Sequence, residues 1–302
     1  MSIKQRLIHN QLVFNGYQLL RSGLTIISPT LSTKFSYRVS KGKPINLSEP
    51  KTLDEKISWL KLNTYYRNPL ISQCADKYAV REYIESCGCP EILNELYGVY
   101  GSVDEIPWDR LPSSFVLKWN MGCGYNIICP NKKELDIKDT IKKLKKWGRS
   151  KFHLPGAEMQ YKYIKRKITC EKYLGTSGES LPEDYKFYCF NGRAEYVMVC
   201  VDRASGRPKF FFFDRDWKLA RINKDSKAAP EDFAMAKPDG IDEMFLYADK
   251  LSKPFPFVRA DFYLHHGKII FGELTFTPAR GIDPNRLPET DLMLGKLLKL
   301  SN

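Results

Sequence analysis

Apolar positions in this chain change period along its length, and each change predicts an element. Leu53, Ile57 and Leu60 recur at helical spacing behind Thr52 and Glu55. That pair forms a capping box, which satisfies amide donors that a helix start leaves open, so a helix is predicted to begin at Leu53. Tyr78, Ala79, Tyr83 and Ile84 make a second helical stripe within CADKYAVREYIESCG, with Gly88 near its end. After the Pro-rich DEIPWDRLPSS, two β-rich runs, Phe115 to Trp119 and Tyr125 to Cys129, are joined by a short Gly-containing turn. Ile137, Ile141, Leu144 and Trp147 predict an amphipathic helix. YKYIKRKITCEKYLG leads into a strand ending at Gly175, and residues 185–201 and 209–213 read as further strands. Helices interleaved with hairpins place the chain in the α+β class rather than among doubly wound parallel sheets.

The stretch VRADFYLHHGKIIFGELTFTP, residues 258–278, alternates with period two, yet carries charge among its apolar residues. Arg259, Asp261 and Tyr263 share one face of the first strand, and Val258, Ala260, Phe262 and Leu264 the other. In the second strand Ile269, Phe271, Glu273, Thr275 and Thr277 oppose Ile270, Gly272, Leu274 and Phe276. A three-residue loop, His266 to Lys268, would set Asp261 opposite Glu273 and Arg259 opposite Thr275; a two-residue loop would put the acids on opposite faces. Facing carboxylates repel and are costly to desolvate, so a cation must compensate them. Arg259 in an ion-pair network is one solution. Mg²⁺ held by two carboxylates and a hydroxyl, completed by phosphate and water, is the other.

Composition narrows the partners. The chain has 302 residues, 43% of them hydrophobic, enough for two or three subdomains with real cores. It has no apolar run near the roughly 20 residues of a membrane span and no leader-like N-terminus, so a cytoplasmic location is expected. The net charge of +13 points to an anionic partner. Residues 1–48 carry seven Lys or Arg and no acidic residue. This arm is expected to be a helix and extended segment packed on the core, with contact to an anionic membrane at its inner face as the alternative. Eight scattered cysteines read as reduced thiols, and neither Cys87 with Cys89 nor the four histidines have zinc spacing. Lys118 stands just before Gly122 and Gly124, whose backbone freedom suits a loop closing over phosphate.

Taken in order, Lys77 in ADKYAVREY, Lys118 with its Gly loop, EKYL at 171–174, DYKF at 184–187, Arg203, VRADFY and GELTFTP resemble the ATP-grasp superfamily. With NLSEPKTLDEKISWL and DYKFYCFNG, residues from about 44 to 299 resemble its TupA-like branch, found with bacterial capsule and cell-surface polysaccharide genes. The resemblance implies an ATP-grasp fold divided into a basic arm (1–48), a helical region (49–112), a lid subdomain (113–175) and a core subdomain with the metal-binding hairpin (176–302). It implies nucleotide phosphates on Lys77, Lys118, Gly122 and Gly124, and an adenine hinge at Glu171, Tyr173 and Leu174. Asp184 would take the ribose hydroxyls, with Glu179 in the inserted stretch from Thr176 to Leu181 as competitor. Lys186 or Arg203 would reach the terminal phosphates. Arg259 would be the transition-state arginine, and Asp261, Glu273 and Thr275 the Mg²⁺ ligands. Arg280, just after TFTPA, is a separate candidate for holding the acceptor carboxylate or the tetrahedral intermediate, with a surface arginine as the alternative. Two positions depart from the superfamily pattern: Thr275 replaces the usual Asn, and Met121 and Cys123 stand where His and Ser are expected. Cys123 has no nearby His to activate it and reads as loop filling.

The implied activity is an ATP- and Mg²⁺-dependent carboxylate-amine ligase working through an acyl phosphate. Its substrate would be a uronic acid of a cell-surface polysaccharide, or of a nucleotide-sugar or lipid-linked precursor, amidated by an amino acid or amine. The alternatives are a glycosyltransferase, for which Asp214 and Asp216 alone have metal-motif spacing and read as a turn, and a non-catalytic ATP-binding protein. Nucleic acid is not expected as a partner, since the aromatics lie at core spacing and no recognition motif is present.

Overall fold

The computed structural model describes residues 11–175, 182–201 and 208–300. Its helices are α1 (Gln11–Ile27), α2 (Pro29–Lys41), α3 (Leu53–Leu62), α4 (Pro69–Ala75), α5 (Val80–Ser86), α6 (Ile137–Gly148), α7 (His153–Gly156), α8 (Lys224–Ala228), α9 (Ile241–Ser252) and α10 (Pro288–Leu297). Strands β1 (Leu96–Tyr100), β2 (Phe115–Trp119), β3 (Asn126–Cys129) and β4 (Ile168–Glu171) form a small antiparallel sheet in the order β1-β4-β2-β3. Strands β5 (Asp184–Phe190), β6 (Arg193–Val201), β7 (Lys209–Phe213), β8 (Leu219–Ala220), β9 (Phe257–His265) and β10 (Lys268–Thr275) form a larger one in the order β10-β9-β5-β6-β7-β8. The mixture of helices and hairpin-built sheets is the α+β class that the interleaved periods predict.

Each sheet turns its apolar face to a helix and its charged residues the other way. In β2, Phe115, Leu117 and Trp119 are buried with Leu144 of α6, and Trp119 Nε1 donates to the Leu144 carbonyl at 3.0 Å. Alternation leaves Val116 and Lys118 on the opposite face. In β9, Val258, Ala260 and Phe262 are fully buried, and Phe187 of β5 packs edge-on against Phe245 of α9 (4.8 Å between centroids) and Phe262 (5.6 Å). Burying such a ring contributes about 1.5–3 kcal/mol, which pins the strand's face and therefore the side on which Arg259 and Asp261 emerge.

The capping box forms as predicted: Glu55 N donates to Thr52 Oγ1 at 3.3 Å, Thr52 N donates to Glu55 Oε2 at 3.1 Å, and α3 begins at Leu53. The helix expected across CADKYAVREYIESCG is instead split. The Asp76 carboxylate accepts from the amides of Tyr78 (2.8 Å) and Ala79 (3.1 Å), a local turn that competes with helical hydrogen bonding, so α4 ends at Ala75 and α5 starts at Val80. Strand β1 is not announced by the apolar pattern, because it is a half-exposed edge strand containing Gly98.

The described part of the arm, residues 11–48, holds two helices where one helix and an extended piece are expected. Ser28 breaks them, its hydroxyl accepting from Leu31 N at 3.3 Å ahead of Pro29 at the helix start. Helix α1 is inside out. Leu12, Leu19, Ile26 and Ile27 are each 70–80% exposed, whereas Arg21 and Thr25 are buried and Thr25 Oγ1 donates to the Leu154 carbonyl at 2.7 Å. Among the described residues no helix is long and apolar enough to cross a membrane. All eight cysteines are unpaired.

Candidate active site

The hairpin takes the shorter of the two loops its sequence allows. Its register pairs Lys268 with His265, so the loop is the two residues His266 and Gly267, both at positive φ (49° and 73°). Such a loop alone would throw Asp261 and Glu273 onto opposite faces. A bulge at Gly272 corrects this: pairing runs from Phe271 with Phe262 directly to Glu273 with Asp261, then Thr275 with Arg259. A side chain at 272 would sit 3.0 Å from the Asp261 carbonyl oxygen and 3.1 Å from the Tyr263 ring, so the close approach requires glycine.

On the other side of β9, Lys186 of β5 pairs with Asp261. Glu273, Asp261 and Lys186 therefore form one row across three strands, with Thr275 and Arg259 in the next. Arg259 grips Asp261 in a fork, Nε to Oδ1 at 2.7 Å and a terminal nitrogen to Oδ2 at 2.6 Å, and reaches Thr275 Oγ1 at 3.2 Å and Glu273 Oε1 at 3.4 Å. Lys186 Nζ donates to Asp261 Oδ2 at 2.8 Å and also to Asp184. Lys77 Nζ lies 3.4 Å from Glu273 Oε2. The cations Lys77, Lys186 and Arg259 thus face the carboxylates Asp184, Asp261 and Glu273, and the hairpin's charges answer one another.

Electrostatics differ along the row. Burial raises the Asp261 carboxyl above its ordinary value despite the pull of Arg259 and Lys186. Burial pushes Glu273 the same way, but Lys77, Arg259 and Lys186 outweigh it and hold this carboxyl down to about 2. Glu273 is also the more open of the two, its side chain 35% exposed against 2% for Asp261. Thr275 Oγ1 donates to Glu273 Oε1 at 2.9 Å, which keeps hydroxyl and carboxylate side by side. Two carboxylates and a hydroxyl on one face are a hard-oxygen set that fits Mg²⁺. Among the described residues no group of three His, Cys, Asp or Glu could hold a metal ion. An ion on this set would therefore depend on phosphate and water for the rest of its shell.

Lys77 ties this row to the small sheet, since Nζ also donates to the Gly122 carbonyl at 2.6 Å and its backbone N to the Asn120 carbonyl at 2.8 Å. Gly122 and Gly124 both take φ 78°, and Phe152 packs where a Gly122 side chain would lie, whereas the space beside Gly124 is open. Cys123 between them is exposed and Met121 buried. Lys118 Nζ donates to Glu171 Oε2 at 2.7 Å, and burial, which alone would raise Glu171, is outweighed by Lys118, so this carboxyl stays below its usual range. A cavity of about 290 Å³ between the sheets is lined by Val116, Lys118, Ile128, Tyr173, Leu174 and Tyr263. Beside it a smaller cleft joins Lys77, Lys118 and Glu171 to Phe271 and Gly272 of the hairpin.

The sequence-predicted residues therefore fall into joined groups. Lys186, Asp184, Arg259, Asp261, Glu273, Thr275 and Lys77 form the charged row, Glu171 lines the cleft, Tyr173 and Leu174 line the cavity, and Lys118 lines both. Asp184, expected at the ribose hydroxyls, accepts from Lys186 and so joins the row. Arg280 lies apart, bonded through one terminal nitrogen to Gln18 Oε1 at 3.3 Å. Arg203, Glu179 and the stretch from Thr176 to Leu181 lie outside the described residues. Asp214 serves a turn, its carboxylate accepting from the amides of Asp216 (3.0 Å) and Lys218 (2.9 Å). The sequence reading missed Asn120, which is fully buried. Its side chain donates to Asp76 Oδ2 at 2.7 Å and accepts from Lys167 N at 2.9 Å, so it locks the Lys77 turn to the Gly loop. An Asn directly after an apolar strand and two residues before Gly122 was the available signal.

The family model for TupA-like ATP-grasp proteins matches residues 55–299. D-alanine–D-alanine ligase from Bacillus anthracis, solved with ATP, is similar over 75% of this chain and 68% of its own, at 13% identity and a TM-score of 0.39. The same ligase from Helicobacter pylori is similar over 82% of this chain and 69% of its own, at 14% identity and a TM-score of 0.43. No curated protein matches the chain in sequence. With its family model spanning four-fifths of its length, the chain belongs to the TupA-like ATP-grasp family.

Proposed function

We propose that the protein is an ATP- and Mg²⁺-dependent carboxylate-amine ligase that activates an acid as its acyl phosphate and joins it to an amine or amino acid. The observation that carries this reading is the row Glu273, Asp261, Lys186, linked by Lys77 to the Gly122 loop. A carboxylate is a poor electrophile and hydroxide a poor leaving group, and phosphorylation remedies both. Mg²⁺, held by Asp261, Glu273 and Thr275, supplies positive charge at the phosphate oxygens when bound. Lys77, Lys186 and Arg259 are held beforehand around the carboxylates of the row, and cations fixed in this way are the preorganisation that stabilises charge developing on a transferring phosphoryl group. Val116, Ile128, Tyr173 and Leu174 give the adjoining cavity the apolar walls that a nucleobase needs.

The acid is read as a uronic acid of a cell-surface polysaccharide or of its nucleotide-sugar or lipid-linked precursor. The net charge of +13 suits such a substrate. Incubation with ATP, Mg²⁺, a panel of uronates and an amino acid pool should release ADP and phosphate only when acid and amine are both present. No release across the panel would reject the ligase reading. A rise in melting temperature with UDP-sugars but not with ATP would favour the glycosyltransferase alternative.

The outward face of α1 supports a place at an anionic bilayer. Leu12, Leu19 and Ile26 recur every seven residues on one side, with no acidic residue in positions 1–48 to repel lipid phosphate. Phosphatidylglycerol vesicles should sediment the protein, phosphatidylcholine vesicles should not, and the double variant Leu19→Glu with Ile26→Glu should stay in the supernatant. Wild-type protein left in the supernatant with phosphatidylglycerol would reject this placement.

A further inference from the structure

The polar side of the arm is turned inward onto a cavity of about 230 Å³, lined by Tyr17 and Arg21 of α1, Ser36 of α2, and Arg280. This volume is below the roughly 300 Å³ at which sites for drug-sized ligands begin, so it suits a sugar- or amino-acid-sized group. Arg21 is 8% exposed and Ser36 5%, yet among the described residues neither Arg21 Nε nor Ser36 Oγ has a hydrogen-bond partner. Among the described residues no carboxylate lies within ion-pair distance of Arg21. A guanidinium does not deprotonate, and a buried donor without a partner is costly. An anion in the cavity would remove that cost.

The surroundings add to the deficit of negative charge. Burial lowers Arg21, the Tyr17 ring 5.3 Å from its guanidinium carbon and Glu158 offset part of this, and Arg280 lowers it further. Lys61, 2% exposed, is brought down to about 8 by burial, with Arg21 and Arg280 also pushing it down. The one carboxylate within this group is Glu158, whose Oε1 already accepts from Thr277 Oγ1 at 2.6 Å. Arg280 is presented by a turn in which Ala279, Arg280 and Gly281 all take left-handed φ (51°, 62° and 85°), held where Lys61 Nζ donates to the Arg280 carbonyl at 3.2 Å. Two non-glycine residues in that conformation are strained, and strain of this kind collects at ligand sites. The turn directly continues the strand that carries Glu273 and Thr275.

We propose that Arg21, Ser36 and Arg280 form the binding site for the carboxylate of a sugar acid, so that the basic arm is a wall of the substrate site. The inference rests on the ligase reading above and adds where its acid is held. Paired guanidiniums match the two oxygens of a carboxylate, and the serine hydroxyl supplies a further donor.

Calorimetry on the full chain without nucleotide tests it, with D-glucuronate as probe and D-glucose and D-glucose 1-phosphate as controls. Saturable binding of glucuronate without binding of glucose is expected. Arg21→Gln and Arg280→Gln should each weaken glucuronate about tenfold or more while the stabilisation by Mg-ATP is kept. Equal glucuronate affinity in wild type and Arg21→Gln, no glucuronate binding by wild type, or binding of glucose 1-phosphate alone would each overturn the assignment. The contrast between glucuronate and glucose in the wild type holds even if a variant fails to fold. Failure of Mg-ATP to bind the wild type would strike the ligase reading instead.

Discussion

Arg259→Met should be the most damaging single substitution in the chain. Its guanidinium makes both fork bonds to Asp261, which is 2% exposed, and also reaches Thr275 and Glu273. Methionine keeps much of the length but leaves Asp261 buried with Lys186 as its remaining cation. Breaking a buried pair in this way costs about 3–5 kcal/mol, a large part of the stability of an ordinary domain. Under the proposed function the same change would also remove a cation that stabilises the transferring phosphoryl group, a loss of about 3–4 kcal/mol in the transition state, or hundreds-fold in rate. Urea denaturation and ADP release would measure the two losses separately. Arg259→Lys should restore part of the stability and little of the rate, since an ammonium keeps the charge but cannot reproduce the fork. A methionine variant as stable and active as the wild type would show that the row is surface decoration.

Gly272→Val should impair activity through geometry alone, and deleting Gly272 should do so less. A side chain at 272 would meet the Asp261 carbonyl oxygen at 3.0 Å and the Tyr263 ring at 3.1 Å, so β10 must move away from β9 and carry Glu273 with it. Overpacking of this kind costs about 1–3 kcal/mol. The deletion removes only the extra, unpaired residue: Glu273 then follows Phe271 directly and stays opposite Asp261, with Thr275 opposite Arg259. The valine variant is expected to lose most of its ADP release and the deletion variant to keep a measurable fraction. Full activity in the valine variant, or a well-folded but inactive deletion variant, would mean that this register does not set the site.

That pair of variants also shows what was legible in the sequence. Alternation of Arg259 and Asp261 with Val258, Ala260 and Phe262 reveals which residues share a face, because burial of the apolar set leaves β9 one orientation. Alternation does not reveal how β10 is aligned with it. Loop length and the bulge each shift the register by one residue, and a glycine within a strand signals a bulge only ambiguously. The expected alignment is therefore observed, but by a different route. The capping box at Thr52 was readable because all its partners lie within four positions. The turn at Asp76 was not, because the apolar stripe hides a side chain competing for the amides of Tyr78 and Ala79. Helix α1 was illegible in another sense. Its two faces can be separated by period, but the assumption that the apolar face turns inward assigns them the wrong way round, and with it conceals Arg21.

The central claim is that the acidic pair on the hairpin and the cations around it bind nucleotide together with a divalent ion. Titration calorimetry of ATP into the protein, with and without Mg²⁺, tests it most directly when repeated on Glu273→Gln, a change at the more open carboxylate of the row. Saturable binding by the wild type that needs Mg²⁺, with the Mg²⁺ requirement lost in the variant, is the predicted result. Binding that is the same with and without Mg²⁺ in both proteins, or no binding of ATP at all, would contradict it.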